Sequence, residues 1–259
     1  IVVPTVEEAI SGFELSTVVD VLDTTVEVEG EISWLNVTND GMALYMDIDL
    51  DVPRQRTIEN GFLASSEAAP NFDLSSSAEA VLSDNLLNMA LYRLWEGGAF
   101  DAEFSTADGT MDSVVTSLLE SDDVTMKMRP MMPPVIITRG NTLMMEFGEV
   151  EIEVETPKGS WGENSLWVIS GSAEVDANIV DGLLNLELIN PETSVIVREN
   201  DWGMDVLNAT TTVERLMPFD MVIERFGGVS LPLPSIPGIN LSGIGLERTG
   251  DDSQSAFRL

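Results

Sequence analysis

The sequence predicts a strand-dominated α+β fold, and three observations carry that expectation. Apolar residues alternate with acidic ones at period two over several long runs. Two segments break that rhythm and take helical spacing, residues 84–96 and about 205–226. Between the runs stand Asn, Asp, Gly and Pro, the residues of tight turns. Together they describe an acidic antiparallel roll with two buried helical segments.

The first long strand is expected over residues 24–35, where Val26, Val28, Ile32 and Trp34 alternate with Glu27, Glu29 and Glu31. A second follows over 42–52, with Met42, Leu44, Met46, Ile48, Leu50 and Val52 opposing Tyr45, Asp47, Asp49 and Asp51. Asn39-Asp40-Gly41 lies between them and tolerates positive φ, so the two runs form a hairpin with one apolar and one carboxylate face. Residues 53–70 lack periodicity and read as a long connection. The alternation returns over 72–82, 150–155 and 173–179. Residues 183–189 and 194–198 read as a further pair of strands joined by Asn190-Pro191-Glu192.

Ser83 is a good N-cap and Gly97-Gly98 a good stop, so a helix is expected between them. Leu86, Leu87, Met89, Ala90, Leu91, Leu94 and Trp95 cover most of its circumference, leaving Asn85, Asn88, Tyr92 and Glu96 as a thin polar stripe. A helix this apolar has to be nearly engulfed. In the second segment Leu207, Val213, Leu216, Met217, Phe219, Val222, Ile223 and Phe226 are interrupted at Pro218, which forces a kink or a fresh start. Phe226-Gly227-Gly228 ends it. The run Val229-Ser230-Leu231-Pro232-Leu233-Pro234 is extended but unsuited to a central strand. A last strand is expected over 239–247, before a polar tail at 249–255.

Composition narrows the chemistry. The chain has 259 residues, no cysteine and no histidine, which removes disulfides, Ser-His-Asp triads and every metal site built on those ligands. Twelve basic residues against 45 acidic ones give a net charge of −33, which repels phosphate backbones and excludes nucleic acid as a partner. Contact with an anionic membrane is expected to be transient at most. No apolar stretch reaches the roughly 20 residues that span a bilayer. The start at Ile1 reads as that of a processed product.

Several patterns invite sharper readings. The Glu149/Glu151/Glu153/Glu155 ladder and Asp47-Ile48-Asp49-Leu50-Asp51 could attract cations, but alternate strand positions make a solvated face. The aspartate run also lacks the Gly and closing Glu of a calcium loop. Carboxylate pairs could serve an enzyme without His or Cys. Here they sit on alternating strand faces, so the chain is expected to be non-catalytic, with no metal and no cofactor. Asn36, Asn208 and Asn240 head Asn-x-Ser/Thr sequons, meaningful only in a glycosylating host. The 13 methionines, among them Met126, Met128, Met131, Met132, Met144 and Met145, suit a core that repacks around varied ligands or simply fill it.

The order of parts resembles a known family. Phe72-Asp73-Leu74, then Leu82-Ser83-Asp84-Asn85-Leu86-Leu87-Asn88-Met89-Ala90-Leu91-Tyr92 and Gly97-Gly98-Ala99-Phe100, resembles the start of the C-terminal barrel of the bactericidal/permeability-increasing protein family, the tubular lipid-binding proteins. Leu216-Met217-Pro218 and Val229-Ser230-Leu231-Pro232-Leu233-Pro234-Ser235-Ile236-Pro237-Gly238-Ile239 resemble its end. The resemblance covers residues 72–259 and suggests a microbial member. It implies a highly twisted antiparallel sheet rolled around a long apolar helix, with residues 1–70 adding or joining strands and 71–259 forming the barrel.

It also implies binding, sequestration or transfer of a lipid acyl chain, in an extracellular, periplasmic or envelope setting. The groove would be lined by Leu87, Leu91, Leu94, Trp95, Met144, Met217, Phe219, Val222 and Phe226. The partner would be a lipid or other apolar ligand, with a protein partner or oligomer as a further option. The chain departs from the family in being too short for two barrels and in lacking the animal proteins' cysteine pair. It also lacks a basic tip, so endotoxin binding does not carry over. The alternative is a structural or adhesive surface protein whose acidic face docks a partner or cations.

Overall fold

Alternation becomes strand wherever one face can be buried, and the computed structural model follows that rule. It describes residues 14–37, 42–53, 56, 81–107, 109, 119, 121–139, 142–156, 162–216, 220–233, 247–249 and 256–258. The described chain is a strand-dominated α+β protein whose registered strand pairs are all antiparallel. It divides into two compact units, one of Ile1–Gly97, Asp176–Leu186 and Val229–Leu259, the other of Gly98–Val175 and Glu187–Gly228.

The first unit contains the sheet β1 (Glu14–Val21), β2 (Thr24–Val37) and β3 (Met42–Asp51), in that order. Val26, Val28 and Leu50 are buried while Glu27, Glu29, Glu31, Asp47, Asp49 and Asp51 are exposed, as the period-two pattern requires. Val37 pairs with Met42, so the expected hairpin forms, although Asn39-Asp40-Gly41 lies outside the described residues. The register shifts between Ile32 and Trp34, a bulge that leaves Ser33 over.

Strand β1 has no counterpart in the sequence reading. It is joined to β2 by Leu22 and Asp23, both at positive φ (48° and 64°), the backbone of a two-residue hairpin loop. Leu at such a position carries no turn signature, so the strand before it goes unannounced.

Strand β4 (Val81–Ser83) leads into helix α1 (Asp84–Glu96). The Asn85 N–H donates to Ser83 Oγ at 3.2 Å, confirming the cap. The helix has 13 residues, shorter than the long rod that the resemblance implies. It packs against β3 and β4. Leu87, Leu91, Leu94 and Trp95 are at most 1% exposed. Of the expected polar stripe, Asn88 and Glu96 are buried while Asn85 and Tyr92 are half-buried. At its end a Cβ on Gly97 would stand 3.0 Å from Thr24 Cγ2 and 3.3 Å from Val52 Cγ2, so glycine permits the close approach to this sheet.

In the second unit, β5 (Ala102–Ser105), β6 (Thr125–Pro130) and β8 (Thr142–Glu155) run side by side, with β7 (Val135–Arg139) also on β8. Met126, Met128, Met145, Val150, Ile152 and Val154 fill the buried face. Two long strands, β9 (Asn164–Val180) and β10 (Leu183–Asn200), contribute residues to both units. Asp181 and Gly182, both at positive φ, turn the chain between them.

Residues 183–200 thus form one strand, where the sequence suggested two joined by a loop. Asn190 takes φ 49° and Pro191 is exposed. The registered pairing of β10 with β11 (Ser230–Pro232) ends at Asn185, so Pro191 costs no bond to β11.

The break at Pro218 is reproduced as two helices, α2 (Val206–Leu216) and α3 (Asp220–Gly227). Residues 217–219 lie outside the described set. Helix α2 is less apolar in fact than in pattern: Ala209 and Val213 are buried, but Leu207 is 74% exposed. Strand β11, which contains Pro232, stands at the end of its sheet. In the first unit β12 (Glu247–Thr249) pairs with β13 (Ala256–Arg258), which pairs with β4. The strand expected over 239–247 lies outside the described residues except for its last residue, and β13 was not foreseen beyond the polar tail.

Candidate functional site

The apolar face of α1 borders a cleft within the first unit. Leu86, Leu87, Ala90, Arg93 and Leu94 line one side, at helical spacings that place them on one stripe. Val21 at the end of β1, Val26 of β2, and Ile48 and Leu50 of β3 contribute further lining. Leu184 of β10 with Leu231 and Leu233 at β11 completes it. The Leu233 N–H donates to the Gly182 carbonyl at 2.9 Å, and Leu186 N–H to Val229 at 3.0 Å, fixing these leucines in place.

The cavity volume is about 20 Å³. That is little more than one water-sized probe needs. The open concavity expected for an acyl chain is therefore largely filled.

Among the described lining residues Arg93 is the one polar side chain. Its Nη1 donates to Glu96 Oε2 at 2.9 Å, while its buried Nε has no hydrogen-bond partner among the described residues. Beside it, Arg56 Nε donates to the Trp95 carbonyl at 2.7 Å, and its guanidinium stands 4.9 Å from the Trp95 ring centroid. Arg93 and Arg56 thus both bond to groups in the last turn of α1.

Of the expected groove residues, Leu87 and Leu94 line the cleft. Leu91 and Trp95 are buried on α1 without lining it. Val222 and Phe226 are buried in the second unit, where the Phe226 ring lies 4.8 Å from Phe147 and 5.1 Å from Phe100. Met144 is half-buried on β8 in that same unit. Met217 and Phe219 lie outside the described residues. The nine positions therefore do not make one stripe. Val26, Ile48 and Leu50 were legible as apolar strand positions but not as groove, and Arg93 went unremarked although it falls three residues after Ala90.

On the acidic side of β5, β6 and β8 a polar groove of about 180 Å³ is bordered by Asp101, Glu103, Lys127, Glu151 and Glu153. Among the described residues, no group of three or more acidic side chains is arranged to hold a metal ion. The second unit has wider, mixed-polarity grooves, one of about 560 Å³ bordered by Met132, Phe147, Ser170 and Glu192. Among the described residues no helix is long and apolar enough to cross a membrane.

No family model matches the chain, and no curated protein matches it. Among solved structures, a lipopolysaccharide binding protein is similar over 93% of this chain and 56% of its own, at 11% identity and a TM-score of 0.36. The chain thus spans little more than half the length of that protein.

Proposed function

We propose that this chain is a non-catalytic binding protein that takes a lipid acyl chain into the cleft beside α1, in an extracellular, periplasmic or envelope setting. The observation that carries the reading is the lining itself: aliphatic side chains from a helix and several strands converge, with a single polar side chain among the described lining residues. Burying hydrocarbon there gains about 0.8 kcal/mol per methylene and needs no reactive residue. The resemblance of residues 72–259 to the tubular lipid-binding family supports the same reading. With room for about one water in the cleft, entry of a chain separates the β1–β3 wall from the helix.

The test is native mass spectrometry of the protein incubated with oleyl alcohol below its aggregation concentration. One bound molecule is expected on the wild type and none on Leu86→Trp, whose bulkier side chain would compete with the ligand for the same space. A wild type that carries no ligand under these conditions removes the reading.

A second reading, an envelope component that docks a cationic partner, is favoured by one observation. Glu27, Glu29, Glu31, Asp47, Asp49 and Asp51 share an exposed face, and the sequence has no Lys or Arg before Arg54. Retention of the chain on a polylysine surface that is lost in the Glu29→Gln, Asp49→Asn double variant would favour it. Equal retention of both would count against it.

A further inference from the structure

We infer that the ligand of this cleft is a single-chain amphiphile with an anionic oxygen head, received by Arg93; the inference rests on the acyl-chain reading above. A site for hydrocarbon alone has no use for a guanidinium in its lining. Arginine is costly to bury unless its donors are met, and its fork matches a carboxylate or phosphate in two parallel hydrogen bonds. Here the fork is half used. Glu96 takes Nη1, leaving the side edge formed by Nε and Nη2, and Nε is buried without a partner among the described residues. That edge is the one through which an arginine receives a carboxylate side-on.

The net charge of −33 repels anionic surfaces at long range, so a single soluble amphiphile can reach Arg93 more readily than a packed anionic bilayer can. Arg93 borders the cleft together with leucines while its Nη1 donates to Glu96, as long basic side chains do at apolar borders.

The experiment compares oleate, oleoyl lysophosphatidate and oleyl alcohol by isothermal titration, all below their aggregation concentrations. The wild type is expected to bind at least one of the two anions about tenfold or more tightly than the alcohol, which shares the chain but not the charge. Whichever anion binds more tightly identifies the head as carboxylate or phosphate. Arg93→Met is expected to lose the preference and keep alcohol binding, and Arg93→Lys to keep part of it. Circular dichroism checks that each variant is folded, and the wild-type comparison stands without either. Equal affinity for all three ligands overturns the headgroup inference and leaves the acyl-chain reading intact, as does a preference that survives Arg93→Met. Failure of all three to bind overturns both.

Discussion

Glu29 on β2 and Asp49 on β3 stand directly opposite each other, both exposed. Glu27 with Asp51 and Glu31 with Asp47 repeat the arrangement on either side. Like charges at directly opposed positions destabilise a sheet by about 0.2–1 kcal/mol per pair. The buried Val26, Val28 and Leu50 on the reverse of the same strands have to outweigh that repulsion.

Asp49→Lys should therefore stabilise the protein by about 0.5–1 kcal/mol at low ionic strength, by turning one repulsive pair into an attractive one. The gain should shrink in about 1 M salt, where the Debye length is about 3 Å. Thermal unfolding of both proteins across a salt series measures it. A gain independent of salt would show that charge is not its source.

Glycine at 171 is required by contact, and glycine at 148 is not. A Cβ at position 171 would stand 2.5 Å from the Glu192 carbonyl oxygen and 2.7 Å from the Phe147 ring, whereas one at 148 meets nothing within 4 Å. Gly171→Ala should cost about 1–3 kcal/mol through overpacking. Gly148→Ala should be near neutral. Urea unfolding of the two variants side by side tests the contrast, and equal midpoints would contradict it.

At the start of α1, Ser83→Ala should cost about 1 kcal/mol by leaving the Asn85 N–H without its acceptor. Leu91→Ala, in the same helix but wholly buried, should cost about 2–5 kcal/mol. Denaturant midpoints at unchanged slope would give both numbers, and a reversed order would mean that α1 is not held by burial.

Lys127 titrates with a sign that can be worked out. The Glu155 carboxylate, hydrogen-bonded to Nζ at 2.9 Å, raises the lysine's pKa above its ordinary 10.5, with smaller help from Glu103 and Glu153. The folded value exceeds the unfolded one, so the pair's stabilisation is full below pH 10.5 and fades as pH climbs through the folded value. The small stability difference between wild type and Lys127→Met should be flat from neutral pH to about 10 and decline above it. Chemical unfolding at stepped alkaline pH reads this, and a difference growing with pH would refute the pairing.

The sequence made the strands legible where burial is one-sided. Val26, Val28 and Leu50 announce a face because their neighbours are carboxylates. Ser83 and Gly98 announced the ends of α1 because capping is local chemistry; Gly98 takes φ 76° after the helix. Where tertiary context decides, the pattern was silent or misleading. Leu22 accepts a positive φ that its side chain does not advertise, and Pro191 sits in a strand beyond the reach of β11. Leu207 fits an apolar helical stripe, yet nothing covers enough of it to bury it. Arg93 illustrates the limit for the site: its helical position is readable, but a buried Nε without a partner among the described residues is a result of tertiary packing.

Strand β4, which delivers the chain into α1, pairs with β13, matching Leu82 to Phe257. A ribosome releases residue 82 long before residue 257, so the helix entry waits for its neighbour through most of synthesis. Pairings so remote form late and slow folding. Until then that edge is open to strangers, and a nascent chain stalled before β13 would be the form that a chaperone meets.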